Sequence, residues 1–254
     1  MRLATYNILH GRSTADGRVD VGRFTAAVRD LDADVLALQE VDHRQPRSRR
    51  ADLTALAAQA AGASEFRFVA TTRGLPGIWI AADVEQQPER ASYGIALLSR
   101  LPVDEWRVIP LPRKAPLTWV RHAGSWWRRP VRDEPRAAVA AVVRGPQGPL
   151  TVVNTHLSWL PGWNAQQLSI LLDALAGLPR PLVLMGDLNM LPPQAATTGM
   201  HALAVAHTYP VEAPVRQIDH ILGDGAVKAT GPARSIDTGL SDHRALVVDV
   251  SYAT

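Results

Sequence analysis

Pro181-Leu182-Val183-Leu184-Met185-Gly186 runs directly into Asp187-Leu188-Asn189. A short apolar run bounded by proline and glycine predicts a buried strand over 181–186. Its polar end predicts a carboxylate delivered to a sheet edge. The same form recurs outward in both directions. Residues 2–8 predict a strand running into Asn7, and Val35-Leu36-Ala37-Leu38 a buried strand that ends through Gln39 at Glu40. Val152-Val153-Asn154-Thr155 ends at His156, Gln217-Ile218 leads to Asp219, and Leu240-Ser241 leads to Asp242-His243 before the last strand. Ligands of open α/β structures sit outside strand ends. Gathered at one edge, these residues would make a single acidic, histidine-bearing basin.

The rest of the chain alternates strands and helices. Further strands are predicted near 66–72, 93–99, 103–110, 135–144, 150–156, 216–222, 226–234 and 244–251. Helices are predicted over 20–31, with Val21, Phe24, Val28 and Leu31 at helical spacing and Asp20 as N-cap, over 51–61, stopped by Gly62, and over 164–177. Residues 111–133 read as irregular. No repeat and no linker is evident, so the expectation is one domain, residues 1–254, with two sheets and helices packed outside.

The chain of 254 residues is 46% hydrophobic and 20% charged, an ordinary composition that excludes disorder as the dominant state. The net charge is only +3, yet the pI is about 9.7. The two agree because all basic residues but Lys114 and Lys228 are arginine, and few groups titrate between pH 7 and 10. Such a charge implies mild affinity for anions, not a histone-like coat. The absence of cysteine excludes disulfides, thiolate zinc sites, iron–sulfur clusters and thiol nucleophiles. Apolar stretches fall short of the roughly 20 residues a spanning helix needs. Met1-Arg2-Leu3-Ala4-Thr5-Tyr6 lacks the basic and apolar regions of a signal peptide, so the expected location is the cytoplasm. No obligate protein partner is evident.

Thr5-Tyr6-Asn7-Ile8, Leu38-Gln39-Glu40-Val41-Asp42, Tyr93-Gly94 with Leu97-Leu98-Ser99-Arg100, Asn154-Thr155-His156-Leu157, Gly186-Asp187-Leu188-Asn189, Ile218-Asp219-His220-Ile221 and Ser241-Asp242-His243 follow one another along almost the whole chain. In residue type and order they resemble the endonuclease/exonuclease/phosphatase superfamily, which includes deoxyribonuclease I, apurinic endonucleases, inositol polyphosphate phosphatases and bacterial sphingomyelinases. Asn7-Ile8-Leu9-His10-Gly11 and Glu134-Pro135-Arg136 look most like its small bacterial branch. One departure is Ile95, where that branch usually shows Asn after Tyr-Gly. The resemblance implies a four-layer α/β sandwich, two mixed sheets face to face with helices outside, and hydrolysis of a phosphoester with a divalent metal.

Physical chemistry suits these residue types to that reaction. A cation neutralises the phosphate and stabilises the leaving oxyanion. Carboxylate and amide oxygens suit hard Mg²⁺, with Mn²⁺ or Ca²⁺ as alternatives. The resemblance assigns the metal to Glu40, with Asp242 and Asn7 beside it. It implies that Asp187 activates the water and that Asn189 holds that water or a phosphate oxygen. His156 and His243 would then donate to phosphate oxygens. Asp219 would orient the His243 ring. Arg136 reads either as a fork on a phosphate oxygen or as an exposed arginine, and Tyr93 as a substrate contact or a buried strand residue. The chain contains no His-Glu-x-x-His, no Gly-x-Ser-x-Gly elbow, no phosphate-binding Gly-x-x-x-x-Gly-Lys loop and no Gly-Asn-His.

Three segments bear on substrate. Residues 117–136 combine Arg121, Arg128, Arg129, Arg132 and Arg136 with Trp119, Trp126 and Trp127, a mixture that suits nucleic acid, a lipid headgroup surface, or a loop with its tryptophans turned inward. Trp159 and Trp163, close after His156, read as a cleft wall or as a staple at the next helix. Arg44, Arg47, Arg49 and Arg50 read as a solvated loop unless they lie beside the metal. The leading expectation is a metal-dependent phosphodiesterase acting on nucleic acid. A phosphatase or phosphodiesterase of a small metabolite or phospholipid headgroup is the second, and an inactive binding module on the same scaffold the third.

Overall fold

The structure, a computed structural model, describes residues 1–86, 88–113, 118–121, 128–131, 133–160 and 162–253. Its strands are β1 (Arg2–Asn7), β2 (Val35–His43), β3 (Glu65–Leu75), β4 (Ile78–Ala81), β5 (Ser92–Ser99), β6 (Val103–Leu111), β7 (Thr118–Arg121), β8 (Arg128–Val131), β9 (Arg136–Gly145), β10 (Gly148–His156), β11 (Leu182–Asp187), β12 (His201–Ala202), β13 (Asp219–Asp224), β14 (Val227–Ala229), β15 (Arg234–Ile236) and β16 (Ala245–Tyr252). The longer helices are α1 (Val21–Leu31), α2 (Leu53–Ala61) and α3 (Trp163–Leu175). Among the described residues one sheet of eight strands runs β14-β16-β1-β2-β5-β3-β4, with β15 paired to β16. A second, of six, runs β12-β13-β11-β10-β9-β6, and β7 pairs with β8 alone. Both large sheets are mixed: β1–β2 and β10–β11 are parallel, while the neighbours of these pairs are antiparallel.

Three separate apolar layers explain why the strands read as nearly continuous hydrophobic runs. Alternate residues of one strand serve different layers. In β2, Val35 and Ala37 face the second sheet, where they join Val139, Val152, Val183 and Met185. Leu36 and Leu38 face outward onto Phe24, Val28 and Leu31 of α1 and Leu53 and Ala57 of α2. On the far side, Val153 and Leu184 meet Leu168, Leu171 and Leu175 of α3. Helix, sheet, sheet and helix thus stack as four layers, the architecture the resemblance implied. Asp20 caps α1 by accepting from the Arg23 N–H at 2.9 Å, and Gly62 ends α2 in the left-handed conformation.

Several predicted boundaries are corrected. β2 does not end at Glu40 but continues to His43, because Val41 re-enters the core and pairs with Gly94 beyond a bulge. The expected strand 226–234 is two short strands, broken near Pro232, which has no N–H to give a ladder. Residues 216–218 precede β13; Arg216 instead bridges to Tyr209. β4 was not expected, and the irregular 111–133 holds the β7–β8 ribbon. The tryptophan–arginine mixture of that segment lies largely outside the described residues: Trp126, Trp127 and Arg132, and the side chains of Arg121, Arg128 and Arg129. Trp119 is exposed.

Gly186 shows why a glycine precedes Asp187. Its φ is +142°, and a Cβ there would stand 1.9 Å from the Thr155 carbonyl oxygen of β10. Any side chain would force apart the parallel pair that carries His156 and Asp187. Gly186→Val is expected to destabilise the protein by about 2–4 kcal/mol, read as a lowered midpoint in urea. An unchanged midpoint would refute this account of the close approach.

Candidate active site

Strand direction brings the polar ends together. β1, β10 and β11 deliver Asn7, His156 and Asp187 from their C-terminal ends. β13 and β16 run antiparallel to β11 and β1, so Asp219 and the Asp242–His243 pair reach the same edge from N-terminal ends. β9, antiparallel to β10, begins there with Arg136. Register completes the set, for Asp187 sits opposite both His156 and Asp219. Glu40 arrives differently. The bulge between Leu38 and Val41 places it at φ 57°, out of the sheet alternation. Asn189 and Ser241 are also left-handed, at φ 51° and 64°. Such backbone costs free energy in residues other than glycine, and it clusters at functional sites.

These residues border a cavity of about 960 Å³ that Glu40, Arg136, His156, Asp187, Asp242 and His243 all line. Asn7 joins the two sheets across it: its Nδ2 donates to Glu40 Oε1 and to Asp187 Oδ2, each at 3.1 Å. Beneath lies a polar floor. Gln39 Nε2 donates to Thr5 and to Asn154 Oδ1, and Asn154 Nδ2 donates to the Leu38 and Ala96 carbonyls of the opposite sheet. Asn154 therefore links the sheets without reaching the cavity.

Asp187 is the hub. Its Oδ1 accepts from the Asn189 N–H at 2.9 Å, and its Oδ2 lies 3.5 Å from His156 Nε2 and 3.8 Å from His243 Nε2. Burial, then the nearby Asp219 charge, raise its carboxyl to about 7, with His243, Asn189 and Asn7 holding it lower than it would otherwise be. A carboxylate balanced near neutrality suits proton abstraction. His243 Nδ1 pairs with Asp219 Oδ2 at 2.9 Å. Burial opposes charge on that ring, but the charge and hydrogen bond of Asp219, aided by Asp187, outweigh it and raise the imidazole to about 10. His156 is the opposite case: burial, with Arg136 and His243 nearby, holds it well below its ordinary value and hence neutral. Asn189 Nδ2 donates to the Leu157 carbonyl, leaving Oδ1 to accept from a ligand or water.

Arg136 is buried, 7% exposed, which excludes the reading as a surface arginine. It lies 3.5 Å from Glu134, and its Nε has no hydrogen-bond partner among the described residues. Tyr93 is partly buried and lines the cavity, with the Arg47 guanidinium 5.3 Å from its ring centroid. Trp159 is half-exposed and forms cavity wall. Of the basic run after Glu40, Arg47 reaches the cavity, held by Asp42 at 2.9 and 2.7 Å.

Two sets of donors could hold a cation. Glu40 and Asp242 both open onto the cavity, the charge of Asp242 opposes ionisation of Glu40, and neither forms an ion pair among the described residues. Burial above all, with Asp242, raises the Glu40 carboxyl. Two unpaired, partly buried carboxylates fit a hard cation. Asn7, as it stands, offers Glu40 an N–H and its Oδ1 accepts from the Leu9 N–H, so a ligand role would need that oxygen turned inward. Asp187, Asp219 and His243 also bring ligand atoms within 4.8 Å of one another and could bind a metal. In that group, however, Asp219 Oδ2 already accepts from His243 and, at 2.5 Å, from Thr208.

Residues 4–243 match the sequence profile of the Endonuclease/Exonuclease/phosphatase family. The chain belongs to that family. Its members hydrolyse phosphoesters and use divalent metals. Solved structures agree in fold. An endonuclease/exonuclease/phosphatase from Beutenbergia cavernae is 25% identical with a TM-score of 0.72, over 100% of this chain and 72% of that one. A mannosyl-6-phosphatase from Bacteroides thetaiotaomicron is 14% identical with a TM-score of 0.64, over 99% and 100%. The human nocturnin catalytic domain is 16% identical with a TM-score of 0.61, over 100% and 94%. None of the curated proteins matches the chain. No helix among the described residues is long and apolar enough to cross a membrane.

Sequence reasoning missed three family-site neighbours. Thr208 is fully buried against Asp219, Tyr209 packs on His243 with ring centroids 4.9 Å apart, and Arg216 lies over Tyr209. None ends an apolar strand, so nothing local in the sequence marked them.

Proposed function

We propose that the chain is a Mg²⁺-dependent hydrolase of phosphodiesters, with nucleic acid as the substrate class. The observation that supports this reading is the Asn7 bridge, which ties Glu40 of one sheet to Asp187 of the other. Glu40 and Asp242, with Asn7 beside them, would hold the ion. Bound there, it would supply charge neutralisation of the phosphate and stabilisation of the departing oxygen. Asp187 orients a water and takes its proton as the water attacks phosphorus. Asn189 Oδ1 accepts from the same water. His156, neutral, and His243, charged, donate N–H groups toward the phosphate oxygens as negative charge grows. Asp219 fixes the tautomer of His243 from behind. Arg136, with Nε unsatisfied, offers a donor to an oxygen of the phosphate. Tyr93 and Trp159 border the substrate.

Arginines and aromatic side chains on one cavity support nucleic acid: guanidinium groups meet phosphates and rings meet bases. The β3–β4 hairpin, whose Leu75, Pro76, Gly77 and Trp79 line the cavity, favours a smaller phosphorylated molecule as the second reading. A complete set of polar groups at the centre argues against an inactive binding module. The test is a panel of plasmid DNA, abasic oligonucleotide, RNA, sphingomyelin, inositol phosphates and bis(4-nitrophenyl) phosphate, with and without Mg²⁺. Mg²⁺-dependent cleavage of the nucleic acids and the aryl diester is expected. Release of inorganic phosphate from inositol phosphates alone would move the assignment to a phosphatase, and no cleavage of any substrate would overturn it.

A further inference from the structure

Arg216 differs from the other arginines that line the cavity in having no paired carboxylate among the described residues. Arg47 is held by both oxygens of Asp42, and Arg136 faces Glu134. Arg216 forms no ion pair among the described residues; its guanidinium carbon instead lies 4.7 Å from the Tyr209 ring centroid. A cation on a phenol face gains roughly 0.5–1 kcal/mol. That orients the guanidinium but leaves its charge uncompensated. Tyr209 also touches the His243 ring at 4.9 Å, so Arg216 is two ring contacts from a group at the reaction centre. The backbone holds this arrangement. The Thr208 and Tyr209 N–H groups donate to the Arg216 carbonyl, and the Arg216 N–H donates to Tyr209. The Val211 N–H donates to the Asp242 carbonyl at 2.8 Å, and Arg244 Nε to Val211. The loop is thus fastened to the segment that carries Asp242 and His243.

We propose that Arg216, laid on Tyr209, is a subsite for a second phosphate of the substrate, carried on the same molecule one linkage from the phosphate that is cleaved. The proposal rests on the phosphodiesterase reading above. A planar guanidinium binds phosphate through two parallel N–H groups, and Arg216 lines the cavity while it lies on Tyr209. The second phosphate could come from the backbone of a nucleic acid or from a small bisphosphate.

Thymidine dinucleotides with and without a 5′-terminal phosphate, and the trinucleotide with two internal linkages, separate these cases. The wild type is expected to favour both two-phosphate substrates over the single-phosphate dinucleotide by at least tenfold in kcat/KM, mainly through KM. Arg216→Ala should erase that preference, and Arg216→Lys should keep part of it. An equal preference in wild type and Arg216→Ala would overturn the subsite. A trinucleotide favoured over the phosphorylated dinucleotide assigns the second phosphate to a chain, and the reverse to a terminal group. Calorimetry with thymidine 3′,5′-bisphosphate and thymidine 5′-monophosphate tests the subsite without turnover. A bisphosphate preference of fivefold or more, lost in Arg216→Ala, is expected. Identical affinity ratios in the two proteins would overturn the subsite even if none of the dinucleotides is cleaved, whereas failure of cleavage alone counts only against the reaction. Arg216 is exposed and its backbone bonds survive the substitution, so the variant keeps its fold.

Discussion

Asp187→Asn is expected to lower kcat by about a thousandfold or more and to leave the protein folded. The substitution keeps the shape and the acceptor for the Asn189 N–H while removing the base. Asp187 stands within 4 Å of both His156 and His243 and accepts from Asn7, a position that no other carboxylate shares among the described residues. Asp219 is turned toward His243 and Thr208 instead. The same change should raise stability at pH 8 in metal-free buffer. A carboxyl whose folded pKa is raised, here to about 7, favours the folded state while it is protonated. That contribution is present below the unfolded value near 3.9 and is lost as pH rises toward 7. Asparagine carries no charge to be desolvated, so its thermal midpoint should exceed that of the wild type at pH 8 and approach it at low pH. A loss of turnover below tenfold would remove Asp187 from the mechanism.

Chelation with EDTA is expected to abolish turnover, and Mg²⁺ or Mn²⁺ to restore it. Glu40 and Asp242 face the same cavity and form no ion pair among the described residues; His243 and Arg136 act on Glu40 only from a distance, so a bound ion would add the direct counter-charge. Glu40→Gln is expected to raise the Mg²⁺ concentration for half-maximal rate by about tenfold or more. The same ion should raise the thermal midpoint of the wild type in proportion to the logarithm of its concentration, and much less in Glu40→Gln. Activity that survives exhaustive chelation would end the metal scheme. If Asp187→Asn instead abolished the Mg²⁺-dependent rise in midpoint and Glu40→Gln did not, the ion would belong to the Asp187–Asp219–His243 group.

Much of the fold was legible because burial on both faces leaves a strong local signal. Val35-Leu36-Ala37-Leu38 and Leu182-Val183-Leu184-Met185 are apolar at every position since alternate residues serve different layers. The site was legible where a polar residue ends such a run, as at Asn7, His156 and Asp187. Glu40 was legible as a polar residue after such a run, but the way it is placed was not. A bulge continues the strand past it, and a one-residue irregularity in pairing has no periodic signature in eight or nine residues. The status of Arg136 was undecidable from the sequence, because whether an arginine at a strand start is buried depends on what covers it.

The sequence by itself determined the chemistry on offer: oxygen and imidazole donors without thiols, carried at the ends of strands too apolar to be exposed. Tertiary structure alone decided which donors meet. Asn7 touches Asp187 across 180 positions of chain, and Thr208, Tyr209 and Arg216 join the site from a loop with no pattern of its own. The reason is physical. Side-chain type and periodicity are properties of a few consecutive residues, whereas proximity between strands follows from their direction, their register and the packing of two sheets face to face.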